Sequence, residues 1–184
     1  MASAFAVWLT GLPASGKSAI AGALLQQLQV RGTDCAVLES DVLRTLITPR
    51  PKYDAAERDL FYAALAHLGD FLVQHGVPVV FDATAHRRAY RDAARSRIAR
   101  FAEVFVSCPL DVCQARDPKG LYRRAREGKA GTLPGVQASY EPPLQPELVL
   151  HSDRTDPAAA AREIVALLER RGWLERGSEP PQPA

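Results

Sequence analysis

Gly11, Gly16, Lys17 and Ser18 stand at the spacing G-x-x-x-x-G-K-[ST] within Thr10-Gly11-Leu12-Pro13-Ala14-Ser15-Gly16-Lys17-Ser18. That spacing suits the grip of a polyphosphate. Glycines let successive backbone N–H groups turn inward with no Cβ in the way, so that the loop through Ala14 and Ser15 can cradle phosphate oxygens. Lys17 brings a mobile charge to the β- and γ-phosphates, and Ser18 offers a hydroxyl to Mg²⁺. A helix starting at this loop adds its positive N-terminal end. The expectation is a nucleoside triphosphate site with Mg²⁺ as cofactor.

Phosphoryl transfer also needs metal ligation, an oriented acceptor hydroxyl and positive charge around the moving group. Asp82 closes the apolar run Val77-Pro78-Val79-Val80-Phe81, where a carboxylate can hold Mg²⁺ through water; the bland alternative is a turn or helix-capping aspartate. Asp41 follows Cys35-Ala36-Val37-Leu38-Glu39, with Arg44 one helical turn later. Asp41 can take the acceptor's proton or join the metal shell, and Arg44 can clamp an anion. Arg116, Lys119, Arg123, Arg124 and Arg126 crowd a Gly- and Pro-rich stretch, as suits a lid closing over polyphosphate. Arg87, Arg91 and Arg95 recur at helical spacing and read mostly as a solvated basic face. Arg87 and its neighbour Arg88 lie nearest a strand end, and so nearest the site. The four histidines show no ligand spacing, and none is assigned a role.

The elements that must position these groups alternate. Phe5–Leu9 reads as a buried strand, and Ala19–Leu28 as a helix closed by Gly32. Strands follow at 35–39, 77–81, 102–107 and 148–150. Residues 45–53, with Pro49 and Pro51, read as loop. Asp54 and Glu57 predict a capping box for a helix to about Gln74, stopped by Gly76. Further helices are expected over 86–100, 110–116 and from Asp156-Pro157 to about Arg171. The alternation predicts an α/β fold: a five-stranded parallel sheet with helices on both faces, a three-layer P-loop NTPase architecture with an Arg-rich lid. Right-handed crossovers bring every strand's C-terminal end to one edge, where the loop, Asp41 and Asp82 meet.

Composition narrows the class. The chain has 184 residues, 47% apolar and 24% charged, with a net charge of +2. One domain is expected over 1–176, with the lid at about 117–146 and a disordered Pro-rich tail at 177–184. The near-neutral charge counts against nucleic acid as partner. No apolar stretch approaches bilayer length and no leader pattern is seen, so a cytoplasmic protein is expected. The three cysteines lack metal-ligand spacing and read as free thiols. No Asn-Lys-x-Asp guanine motif occurs, which disfavours a GTPase switch.

Several runs resemble the adenylyl-sulfate kinase family: Arg116-Asp117-Pro118-Lys119-Gly120-Leu121-Tyr122, Arg123-Arg124-Ala125-Arg126-Glu127-Gly128, Tyr140-Glu141-Pro142-Pro143 and Arg91-Asp92-Ala93-Ala94-Arg95. The resemblance covers residues 5 to 150. It implies a kinase that moves the γ-phosphate of ATP to the 3′-hydroxyl of adenylyl sulfate. Carried over, it assigns ATP binding to Gly11 through Ser18, Arg116 and Lys119, and chemistry to Lys17, Asp41 and Arg44. On the acceptor side the chain departs from the family. Leu60-Phe61-Tyr62-Ala63-Ala64 stands where Glu-Asn-Ile-Arg-Arg is expected, and Leu133-Pro134-Gly135 replaces Phe-Thr-Gly, so Leu133 takes an aromatic's place. Tyr53 offers a ring, and Arg87 and Arg88 offer charge. The partner expected is therefore a small molecule bearing a hydroxyl; a homodimer is left open. Asp82-Ala83-Thr84 with the arginines that follow also resembles kinases of the polynucleotide-kinase and zeta-toxin type, again with Asp41 as base. Acceptors kept as alternatives are another small alcohol, a nucleoside or a nucleic-acid end. A catalytically degenerate nucleotide-binding regulator is the non-enzymatic alternative.

Overall fold

The computed structural model describes residues 4–128 and 132–175. Its centre is β1 (Ala6–Thr10), every residue of which is buried. A strand covered on both faces needs apolar side chains on both, so it reads as a continuous apolar run. β1 lies between β3 (Val79–Asp82) and β4 (Phe101–Ser107); β2 (Ala36–Glu39) and β5 (Leu148–His151) form the edges, in the order β2-β3-β1-β4-β5. All pairings are parallel, with Leu9 opposite both Asp82 and Val104. That register sets Asp82 level with the last residues of β1, where the glycine loop begins.

Helices cover both faces. Phe5, Val7 and Leu9 point into a core shared with α1 (Lys17–Val30) and α7 (Pro157–Arg170). Ala6 and Trp8 point the other way, into a core with α3 (Ala55–Gln74) and α4 (Arg88–Arg95). Trp8 stacks on Phe81 with ring centroids 4.4 Å apart, and its Nε1 donates to Ala83 O at 3.0 Å. α3 approaches the sheet closely because Gly69 faces Phe81: a Cβ there would lie 2.1 Å from the ring.

The expected caps form, with one variation. Asp54 accepts from Glu57 N at 2.8 Å, and Asp156 from Ala159 N at 2.9 Å with Pro157 in the first turn. Glu57 reaches back past its cap to the N–H groups of Lys52 and Tyr53. The loop expected from Thr45 instead contains the end of α2 (Ser40–Ile47), which starts directly after β2. Pro49 only forces its predecessor Thr48 out of the helical region, so the helix runs on to Ile47. The lid stretch holds α6 (Leu121–Arg126), following α5 (Leu110–Arg116). α4 is shorter than the helix expected over 86–100. The tail at 177–184 lies outside the described residues.

Of the basic face Arg87, Arg91 and Arg95, only Arg87 is solvated. Arg91 is only 1% exposed; its Nε meets Glu103 Oε1 at 2.5 Å, and it also donates to Ala85 O and Glu141 O. Arg95 pairs with Glu147 at 2.6 Å and with Glu103 at 3.3 Å. The helical spacing holds, but Arg91 and Arg95 turn to charged partners on β4 and before β5, which the spacing alone does not reveal.

Candidate active site

A cavity of about 680 Å³ opens at the C-terminal edge of the sheet, lined in part by Lys17, Ser18, Asp41, Arg44, Asp82 and Lys119. Its phosphate end is the loop between β1 and α1. Gly16 has φ +98 and Ala14 φ +61, left-handed conformations that turn the loop's amides. A Cβ on Gly11 would lie 2.4 Å from Val106 O, so only glycine fits against β4 there. Gly11 and Ser15 stand behind the cavity wall, while Ala14, Gly16, Lys17 and Ser18 face it. Ser15 is fully buried, with a hydroxyl that finds no hydrogen-bond partner, and its carbonyl accepts from Ser152 Oγ at 2.6 Å. Ala14, Gly16, Lys17 and Ser18 facing the cavity where α1 begins fit a polyphosphate at a helix N-terminus.

Lys17 is buried, its Nζ donating to Gly11 O at 3.1 Å and Leu12 O at 2.9 Å. Burial pushes its pKa below the usual lysine range, against the pull of the Asp82 and Asp41 carboxylates. Asp82 is 5% exposed at the end of β3. Ser18 and Asp82 are hard oxygen donors on one cavity, and among the described residues no cluster of three or more metal-ligating side chains occurs. That donor set fits Mg²⁺, which is ordinarily held by one or two protein groups, with phosphates and waters completing its shell.

Asp41 lies in the first turn of α2, its Oδ2 receiving Lys119 Nζ at 2.6 Å; this contact raises the lysine's pKa. Lys119 is thus brought to Asp41 from the lid. Arg116, at the end of α5, donates to Ser152 O at 2.7 Å and lines the cavity near Gly16.

The far end is walled by side chains. The Arg44 guanidinium lies 3.9 Å from the Phe61 ring centroid, with Tyr53 and Tyr62 farther out at 5.4 and 5.6 Å. Its NH1 lies 3.5 Å from Glu57 Oε1 but makes no hydrogen bond. Tyr53, at φ +56, and the largely buried Leu133 both face the cavity. Arg87 and Arg88 do not. Arg87 pairs with Asp59 at 3.3 Å, and Arg88 donates to Pro142 O, with its N–H on Glu141. The turn after β3 carries them onto the outer side of α4, so the charge expected from them is supplied elsewhere.

Arg58 supplies it. This residue, unremarked in the sequence, is 6% exposed and lines the cavity beside Arg44. A signal existed: residues 58, 61, 62 and 65 form the buried stripe of α3, and an arginine on such a stripe is a charge turned inward. Ala63 and Ala64, where the family has arginines, do not line the cavity. Arg124, one of the lid arginines named from the sequence, and Thr84 also line the cavity.

A parallel sheet of this order, with a glycine loop feeding α1 and two strand-end carboxylates on one cavity, defines a P-loop phosphotransferase. The comparisons narrow the class. The family profile for adenylylsulphate kinase matches residues 3–151. The adenylyl-sulfate kinase of Microcystis aeruginosa is 40% identical over 92% of this chain and 94% of its own length. That of Gloeothece citriformis is 38% identical over 91% and 96%. The solved structure of the Mycobacterium tuberculosis APS (adenylyl sulfate) kinase CysC in complex with AMPPNP and APS superimposes with a TM-score of 0.86. It is 34% identical and covers 92% of this chain and 99% of that one. The chain belongs to the adenylylsulphate kinase family and is an ATP-dependent kinase. Among the described residues no helix is long and apolar enough to cross a membrane.

Proposed function

We propose that this protein transfers the γ-phosphoryl group of ATP to the 3′-hydroxyl of adenylyl sulfate, with residues 1–176 acting as one kinase domain. The triphosphate lies along the loop amides and the start of α1, and Lys17 leaves its two carbonyl partners for the β- and γ-phosphates. Ser18 and Asp82 hold Mg²⁺, which neutralises charge on the phosphates when bound. Asp41 accepts the hydroxyl proton as the acceptor oxygen bonds to the γ-phosphorus and the bond to the β,γ-bridging oxygen breaks, releasing ADP. Arg44, with an unsatisfied NH1, receives the acceptor's anionic end beside Arg58, and Tyr53 and Leu133 face its base. Arg116, Lys119 and Arg124 add positive charge over the nucleotide and help exclude water.

The observation that carries this reading is that Lys17, Asp41 and Asp82 line one cavity whose far wall holds Arg44 and Arg58. The test is ADP release with adenylyl sulfate beside a panel of small alcohols, nucleosides and a 5′-hydroxyl oligonucleotide. Release stimulated by adenylyl sulfate above every other acceptor is expected. Phe61 and Tyr62, which stand where the family has Asn and Ile, favour a second reading, a different small alcohol. Stimulation by another member of the panel, with none by adenylyl sulfate, would establish it.

A further inference from the structure

His86 follows β3 and lies outside the cavity, 7% exposed. Its Nδ1 stands 3.3 Å from Arg58 NH1, and its ring meets Tyr90 edge-on at 5.6 Å. Arginine can only donate, so Nδ1 accepts and the imidazole carries its proton on Nε2. Burial, reinforced by the charges of Arg58 and Arg87, pushes this histidine down to about 4, so it is neutral at ordinary pH.

Arg58 is committed on its other nitrogens too. Its Nε donates to Tyr53 O at 3.1 Å, and NH2 donates to Thr132 O and to Thr132 Oγ1. Thr132 Oγ1 reaches Tyr53 O at 3.3 Å. One guanidinium thus joins the turn before α3, the segment after β3 and the lid residue next to Leu133. The planar fork holds its three nitrogens in one rigid geometry, and His86 is the side chain that anchors it at NH1 while Nε and NH2 grip Tyr53 and Thr132.

We propose that His86 is a positioning residue: its Nδ1 aims the Arg58 fork so that the fork pins Thr132 and Leu133 of the lid over the acceptor half of the cavity. The inference rests on the reading above only in taking that half as the acceptor's. A ring that accepts at Nδ1 can be replaced by an asparagine amide oxygen at a similar reach, whereas leucine fills the space and accepts nothing.

The experiment compares wild type, His86→Leu, His86→Asn and Arg58→Lys by two readouts. One is the pair of Michaelis constants for ATP and adenylyl sulfate; the other is the rate at which trypsin cuts α6 after Arg123, Arg124 and Arg126. In His86→Leu the adenylyl sulfate constant rises about tenfold and the ATP constant stays within about twofold, as expected for one lost buried hydrogen bond to a charged donor. Cleavage of α6 accelerates about tenfold, because proteolysis follows the population of the open lid. His86→Asn returns both values towards wild type. Arg58→Lys, which keeps the charge and loses the fork, reproduces the faster cleavage even should His86→Leu fail to fold. Equal shifts in both Michaelis constants, unchanged cleavage in His86→Leu and Arg58→Lys, or an asparagine variant that behaves like the leucine one would overturn the proposal. Trypsin needs no acceptor. A wild type without adenylyl-sulfate-dependent ADP release therefore counts against the functional reading, while the cleavage rates still decide the role of His86.

Discussion

The loop that forms the phosphate end of the cavity comes from one uninterrupted stretch, residues 10–18, whose shape is set by its backbone. The acceptor end needs Arg44, Tyr53, Arg58, Thr84 and Leu133, side chains drawn from four separated parts of the chain. A backbone cradle depends on local conformation, here Gly16 and Ala14 at positive φ, and local conformation is written in consecutive residues. A wall of side chains depends on which elements meet, and so tolerates replacement one residue at a time. The first half therefore keeps a fixed pattern, and the second is where a kinase of this architecture changes what it accepts.

The contrast can be broken by mutation. Lys17→Ala carries the largest effect: kcat/KM falls by about 10³-fold or more as the charge on the moving group is lost. Calorimetry should still find adenylyl sulfate binding within about twofold of wild type, and an equal loss at both ends would dissolve the distinction. Removing the base by Asp41→Asn should lower kcat by about 10²-fold while leaving the ATP Michaelis constant alone, read from steady-state rates. In the core beside β4, Arg91→Met leaves the buried Glu103 carboxylate with the longer Arg95 contact, and urea melts should show about 3 kcal/mol of lost stability. Arg44→Lys keeps a charge but forfeits the planar face on Phe61; the adenylyl sulfate Michaelis constant should rise about tenfold with that for ATP unchanged.

A further effect is a pH dependence. His86 is held at about 4 in the folded protein against 6.5 for the free side chain, so the unfolded chain binds more protons between those values. Stability at this site is full above pH 6.5 and is lost as pH falls towards 4, by about 1–3 kcal/mol. Denaturation at a series of pH values should show a slope in wild type that His86→Asn removes.

Legibility followed the same division. The parallel strands with their C-terminal ends on one edge, the caps at Asp54 and Asp156, and the convergence of the loop with Asp41 and Asp82 could be read because apolar runs and capping residues act over a few neighbours. α2 was hidden by the two prolines beyond its end, which restrict only the residue before each. Arg87 and Arg88 were expected at the site from closeness in sequence to a strand end. The turn through Ala85, at φ +41, sends them elsewhere, and nothing local announces that. Arg58 and Arg91 were visible only as charges in helical register with apolar residues. Their partners, Thr132, His86 and Glu103, lie 12 to 74 positions away.

The place of β1 in the sheet also governs how the molecule is made. Its two neighbours are β3 and β4, so the strand leading into the glycine loop has no partner until Val79–Asp82 has been made and gains its second flank only with Phe101–Ser107. On the ribosome the earliest strand to emerge waits while β2, α2 and α3 are made before its first flank arrives, and Phe5 to Leu9 stay unpaired until then. Pairings this distant make for slow assembly and an aggregation-prone nascent chain. The nucleotide grip, though encoded first, rests on a strand whose two flanks come much later in the chain.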